Sequence, residues 1–144
     1  MNHDHYPDAL IASVLESTRV VALVGASLNA ARPSHGVMAW WLRRGMGVIP
    51  VNPGLAGGEI LGQPVLATLA EVTGPIDLVD VFRNSEAAGG VVDEALALSP
   101  LPRTIWMQLG VRDDDAAARA EAVGVTVVMN RCPAIEAARL ARAR

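Results

Sequence analysis

Residues 20–27 read Val-Val-Ala-Leu-Val-Gly-Ala-Ser, and residues 32–36 continue as Arg-Pro-Ser-His-Gly. Five consecutive apolar residues, three of them valine, predict a strand that is buried on both faces of a sheet. Gly25 ends this strand with a residue that can turn sharply and let a ligand approach the backbone. Pro33 and Ser34 indicate the start of a helix, where Ser34 could accept a hydrogen bond from a free N–H group of the next turn.

A strand, a glycine turn and a helix N-terminus in this order form an anion site, because free N–H groups and the positive end of the helix dipole face one point. We expect a phosphate or a pyrophosphate there. The complete dinucleotide pattern contains three glycines, as G-x-G-x-x-G, but Ser27 replaces the second and Ala30 the third. The turn alone is weak evidence, and a buried first strand with a glycine turn and no ligand is the alternative.

The composition narrows the class of protein. A chain of 144 residues fits one domain, and a net charge of −3 argues against a nucleic-acid-binding protein. The single cysteine, Cys132, excludes an internal disulfide and a multi-cysteine metal site.

There is neither an apolar run of about 18 residues nor a signal-peptide pattern, so we expect no membrane contact and a cytoplasmic location. His3 and His5 could contact a metal, but residues 1–7 are better interpreted as a frayed tail.

Strand and helix patterns alternate along the chain. Asp8 and Ser85 are expected to cap two of the helices, and Pro50 gives the second strand an edge-like character because it has no N–H group. The alternation predicts a single domain with an open, five-stranded, mainly parallel sheet and helices on both faces. The strands are predicted at 20–24, 47–51, 76–82, 103–109 and 125–129, and the helices at 8–17, 34–44, 85–98, 113–124 and 133–142.

Ligands of such sheets bind beyond the carboxyl ends of the strands, where the strand order reverses. Small and polar residues stand at these ends, which predicts a cleft. An NAD site would have an acidic residue after the second strand and an NADP site an arginine, but Asn52 and Pro53 stand there. A nucleotide whose ribose is recognised differently is compatible with this sequence. The five strand ends are 25–27, 52–53, 82–84, 108–110 and 130–132.

Seven short segments resemble, in order, the stand-alone coenzyme A-binding proteins, a family that is similar to the N-terminal coenzyme A-binding domain of the succinyl-CoA synthetase alpha subunit. The likeness covers nearly the whole chain after about Leu10. It implies a Rossmann-like domain with coenzyme A, or an acyl-CoA, lying across the strand ends. The segments are Val-Gly-Ala-Ser at 24–27, Arg-Pro-Ser at 32–34, Val-Ile-Pro-Val-Asn-Pro at 48–53, Ile-Leu-Gly at 60–62, Asp-Leu-Val-Asp-Val-Phe-Arg at 77–83, Trp-Met-Gln-Leu-Gly at 106–110 and Arg-Cys-Pro at 131–133.

The resemblance also implies how the pyrophosphate is held. Backbone N–H groups of Gly25, Ala26 and Ser27, together with the Ser27 hydroxyl, would bind it. Arg32 and Ser34 would add a charge-assisted hydrogen bond and a hydroxyl group to the phosphate oxygens.

The rest of the coenzyme would lie beside the other strand ends. The resemblance implies that Asn52 and Pro53 line the adenosine side and that Phe82, Arg83 and Gln108 border the cleft. Two of these residues have a simpler interpretation: Arg83 could be a solvated surface arginine and Phe82 a core residue.

We expect binding without catalysis, because the chain ends soon after the fifth strand and offers no second domain with the phosphorylated histidine that the ligase needs. His35 is better explained as a helix-face residue. The alternatives are an NAD(P)-dependent oxidoreductase and a nucleotide-sensing regulatory protein that uses the same cleft, with Trp40 contacting a protein partner or a second copy of the chain. Cys132 could form a mixed disulfide with the thiol of coenzyme A.

Overall fold

Five parallel strands form the central sheet of the computed structural model, which describes residues 1–143. The strands are β1 (Val20–Val24), β2 (Gly47–Val51), β3 (Glu59–Ile60), β4 (Gln63–Pro64), β5 (Leu78–Val81), β6 (Thr104–Met107) and β7 (Thr126–Val128). The sheet has the order β2-β1-β5-β6-β7, and β3 and β4 pair as a separate antiparallel hairpin. The chain runs from β1 outward to β2 and returns to β5 on the other side, so the strand order reverses between β1 and β5.

Helices cover both faces of this sheet, which confirms the predicted α/β architecture. The helices are α1 (Asp8–Ser17), α2 (Pro33–Arg43), α3 (Ser85–Leu96), α4 (Asp114–Ala122) and α5 (Pro133–Arg142), with short 3-10 turns at Pro53–Leu55 and Leu69–Glu71. One face packs against α1, α2 and α5, and the other face packs against α3 and α4. Within residues 1–143, no helix is long and apolar enough to cross a lipid bilayer.

The strand pattern explains the two cores. Successive side chains of a strand point to opposite faces, so Val21 and Leu23 join the core under α2 while Ala22 and Val24 join the core under α3. Every residue of β5 is buried, as expected for a parallel strand covered on both sides. The predicted edge position of Pro50 is confirmed, because β2 is the outermost strand of the sheet.

Two predicted helix caps are wrong. Asp8 is the first residue of α1 rather than its cap, and its carboxylate accepts a hydrogen bond from Arg139 at 2.8 Å. Asn84, not Ser85, caps α3: its side chain accepts the N–H of Ala87 at 2.9 Å. A cap needs extended backbone before the first turn, and at both starts the residue with that backbone precedes the predicted one.

Two of the first seven residues, in the segment predicted to be a frayed tail, are buried against the domain: His3 and Tyr6. Tyr6 is only 5% exposed, and its hydroxyl accepts the N–H of Met129 at 2.9 Å. The ring nitrogens of His3 lie 2.6 Å from that hydroxyl and 2.7 Å from the carboxylate of Glu121. Burial of an aromatic ring with a partnered hydroxyl supplies the stability that a polar tail lacks.

Candidate functional site

The predicted residues converge at the point where the strand order reverses. Beyond the carboxyl ends of β1 and β5 lies an open cavity of about 330 Å³, which we call the polar cradle. All the residues predicted from the sequence line it except Pro53, and Pro33 joins them. The lining residues are Gly25, Ala26, Ser27, Arg32, Pro33, Ser34, Asn52, Phe82, Arg83 and Gln108.

Gly25 lets the chain turn at the base of the cradle. Its φ is +90°, and a Cβ atom at this position would lie 2.5 Å from the carbonyl oxygen of Phe82. The Gly25 N–H donates to the carbonyl of Val51 at 3.0 Å, and the Ala26 N–H approaches the same oxygen at 3.5 Å. The Gly25 amide is therefore engaged within the protein, contrary to the prediction that it faces a ligand; this bond holds the turn against β2.

Two serines supply the free donors of the cradle. The N–H groups of Ser27 and Ser34 make no hydrogen bond with any residue that the structure describes. The Ser27 Oγ atom accepts the N–H of Asn29 at 3.0 Å, which leaves the hydroxyl hydrogen available. Ser34 is 4% exposed and is the second residue of α2, so its N–H belongs to the unpaired first turn. The prediction that Ser34 caps the helix is wrong, since Pro33 begins α2 and Arg32 is the cap residue.

Two arginines give the cradle its charge. Neither Arg32 nor Arg83 forms an ion pair or side-chain hydrogen bond with residues 1–143, whereas Arg112, Arg119 and Arg139 all contact carboxylates. No acidic residue of the described chain lines the cradle. Two unpaired guanidinium groups beside a helix N-terminus make this cavity suited to an anion with several oxygen atoms.

The Asn52 side chain forms hydrogen bonds within the protein. Its Nδ2 donates to the carbonyl of Ala26 at 2.8 Å, and its Oδ1 accepts the N–H of Gly54 at 2.9 Å. The side chain thereby ties the glycine turn to the 3-10 turn that follows β2. Pro53 begins that turn, is exposed and does not line the cradle.

A second cavity, of about 550 Å³, adjoins the cradle, and we call it the apolar cavity. No local sequence pattern predicts this cavity, because residues from α2, α5 and the ends of β5 and β6 together form its wall. In the structure, two apolar residues of this wall are exposed: Leu109 is 50% and Ile135 is 53% exposed. Pro33, Phe82 and Gln108 line both cavities. The other lining residues are Gly36, Val37, Trp40, Arg43, Leu109, Cys132, Ala134 and Ile135.

A buried carboxyl group connects β5 and α2, two of the elements that form the cradle. Asp80, in β5, is fully buried, and its Oδ2 accepts the indole N–H of Trp41, in α2, at 3.0 Å. Its Oδ1 has no hydrogen-bond partner among the described residues. Burial raises the pKa of Asp80 to about 7, against the opposing effect of the Trp41 hydrogen bond.

The parallel sheet, its reversal between β1 and β5 and the glycine turn at that point define a Rossmann-like α/β domain. Residues 19–138 match the CoA binding domain family, and the chain belongs to this family. The uncharacterized protein YneT of Bacillus subtilis (strain 168) is 36% identical over 124 residues, which cover 86% of this chain and 89% of YneT.

Two solved structures resemble this chain over nearly its whole length. The Thermus thermophilus protein described as cell-free ID.343 has a TM-score of 0.87 and 32% identity, with 94% of this chain and 99% of that chain covered. A hypothetical protein from Pyrococcus horikoshii OT3 has a TM-score of 0.88 and 30% identity, with 96% and 94% covered. These likenesses support the fold and the family and name no reaction.

Proposed function

We propose that the protein binds coenzyme A or an acyl-CoA across the carboxyl ends of β1 and β5 and catalyses no reaction of its own. The observation that carries the proposal is the polar cradle, where Arg32 and Arg83 stay unpaired beside the free N–H groups of Ser27 and Ser34. These groups are the donors that a diphosphate requires. Family membership identifies coenzyme A as the diphosphate-containing ligand to test first.

We also propose an orientation for the coenzyme, which the residues on either side of the cradle support. With the diphosphate between Ser27 and Arg32, the adenosine lies towards Asn52 and the pantetheine arm towards Gln108. Among the described residues that line the cradle, or the apolar cavity where the thiol end of the coenzyme would lie, there is neither a histidine nor a carboxylate. Acid–base chemistry needs such a group within reach of the reacting atoms, so the arrangement favours binding over catalysis.

Thermal unfolding with coenzyme A, NAD, NADP and ATP in parallel tests the identity of the ligand. A ligand at a hundred times its Kd adds about 2.7 kcal/mol to the free energy of unfolding. For a domain of 144 residues, this raises the Tm by several degrees, roughly 5–10 °C. We expect the largest shift with coenzyme A. A larger shift with NAD or NADP would contradict the proposal and favour an oxidoreductase.

Ser27→Glu tests the place of the diphosphate. A carboxylate at residue 27 would occupy the phosphate position and repel the ligand, so we expect calorimetric titration to show no binding of coenzyme A. Ala118→Glu is the matched control, because it adds the same charge to an exposed position of α4 away from the cradle. Unchanged affinity in Ser27→Glu would place the binding site elsewhere.

A further inference from the structure

The lining of the apolar cavity is not suited to a diphosphate. It is larger than the polar cradle, and its volume of about 550 Å³ falls in the range of small-molecule sites. Val37, Trp40, Leu109 and Ile135 are among the apolar residues that line it. Such a wall favours an apolar ligand. A polar group that entered the cavity would lose its hydrogen bonds to water and gain few in return.

The wall that the two cavities share determines which part of a ligand enters the apolar one. Pro33, Phe82 and Gln108 line both cavities. Gln108 is the polar side chain at this boundary and can both donate and accept hydrogen bonds. An amide-containing arm that leaves the diphosphate therefore meets Gln108 first, and the part beyond it meets aliphatic and aromatic surface.

Gly36 keeps one side of the apolar cavity open. It lies inside α2, where glycine destabilises a helix by about 1 kcal/mol relative to alanine. Unlike Gly25, it is not required by packing: an added Cβ would meet no described atom within 4 Å. A larger side chain at residue 36 would therefore extend into the cavity and reduce its volume.

We propose that the apolar cavity receives the acyl group of an acyl-CoA, a linear aliphatic chain, and that the protein therefore binds acyl-CoA thioesters more tightly than free coenzyme A. This inference rests on the proposed function, since the cradle must hold the diphosphate for the acyl end to reach the cavity. Burying the chain would also remove Leu109 and Ile135, which are 50% and 53% exposed, from water.

The test is a calorimetric series on the unaltered protein with free coenzyme A and with acetyl-, butanoyl-, hexanoyl- and octanoyl-CoA. Each buried methylene group should increase the affinity about fourfold, until the cavity is filled. Equal Kd values for coenzyme A and octanoyl-CoA would overturn the inference and leave the cavity to the pantetheine arm or to a protein partner. If no member of the series binds, the proposed function itself fails, so the two failures are distinguishable.

A variant that fills the cavity tests the location of the chain. Gly36→Leu places a good helix former where the cavity wall is open. We expect this variant to bind octanoyl-CoA no more tightly than it binds free coenzyme A. Gly36→Ala is the matched control and should retain most of the chain-length gain. A Gly36→Leu protein that keeps the full gain would overturn the inference.

Discussion

The amino-terminal ends and the carboxyl-terminal ends of the central strands form two opposite edges of the sheet. Polar groups at these two edges differ in whether they have partners within the protein. At the amino-terminal edge, the carboxylate of Asp77 accepts the N–H groups of Arg19 and Val20, both at 2.9 Å, and lies 4.0 Å from the guanidinium of Arg103. At the carboxyl-terminal edge, the side chains of Arg32 and Arg83 line a cavity and have no ion-pair or hydrogen-bond partner among residues 1–143.

This contrast separates residues that maintain the fold from residues that are free to bind a ligand. A polar group with internal partners stabilises the folded chain when it is retained and destabilises it when it is removed. An exposed, unpaired arginine adds little to stability. We therefore expect substitutions at the two edges to act on different quantities, one on the free energy of unfolding and the other on the affinity for coenzyme A.

The largest expected effect is at Gly25, where fold and site meet. Gly25→Ala forces a side chain into a backbone with φ of +90° and against the carbonyl of Phe82. We expect the free energy of unfolding to fall by about 2–4 kcal/mol, measured by urea denaturation. Gly45→Ala is the control, since Gly45 has a φ of +87° but open space at its Cβ position. Equal losses in the two variants would show that contact with Phe82 is unimportant.

The arginines of the cradle should affect binding alone. Removing a charge-assisted hydrogen bond costs about 1.5–3 kcal/mol, so Arg32→Ala or Arg83→Ala should weaken coenzyme A binding roughly 10- to 100-fold. The free energy of unfolding should change by less than about 0.5 kcal/mol. Calorimetric titration beside Arg119→Ala, which removes an exposed arginine on α4, provides the comparison. An affinity that stays unchanged in both cradle variants would remove these arginines from the site.

Asp77→Ala should produce the opposite result. It leaves two backbone N–H groups without their acceptor, and because these groups can partly turn to water we expect a loss of about 1–2 kcal/mol in the free energy of unfolding. The affinity for coenzyme A should remain the same at a temperature where the variant is folded. A change in affinity as large as that of Arg32→Ala would contradict the separation of the two edges.

Asp80 lies between the two edges and should give the stability a pH dependence. Its pKa is raised to about 7 in the folded protein, well above about 3.9 in an unfolded chain. Between these values the folded state binds the proton and the unfolded state does not, so stability falls as the pH rises from 4 to 7, by at most about 1.4 kcal/mol per pH unit. Asp80→Asn should flatten this slope. Asp115→Asn, at an exposed position, should keep it; identical slopes in the two variants would assign the dependence to other groups.

The parts of the fold that depend on local pattern were predictable from the sequence. β1, β2 and α5 begin and end at the predicted residues, because apolar runs and a proline at the first helical turn are strong local signals. The caps of α1 and α3 were not predictable, since each depends on the backbone angles of one residue. The packing of Tyr6 depends on a contact with Met129, 123 residues away in the chain, which no local pattern contains.

The same distinction applies to the site. The cradle combines the ends of four strands and the start of one helix, each of which has its own local signal, so its residues could be found one segment at a time. The internal use of the Gly25 amide and of the Asn52 side chain could not, because both bonds cross between segments. The apolar cavity forms only where Trp40, Leu109 and Ile135 come together in the fold. Each of these residues lies in a different segment, and none of them indicates a cavity there.

The most direct test of the account is a crystal structure of the protein with coenzyme A. We expect the diphosphate within hydrogen-bond distance of the Ser27 and Ser34 N–H groups, with the Arg32 guanidinium on its oxygen atoms. An unoccupied cradle, or a coenzyme whose diphosphate lies away from these groups, would contradict it.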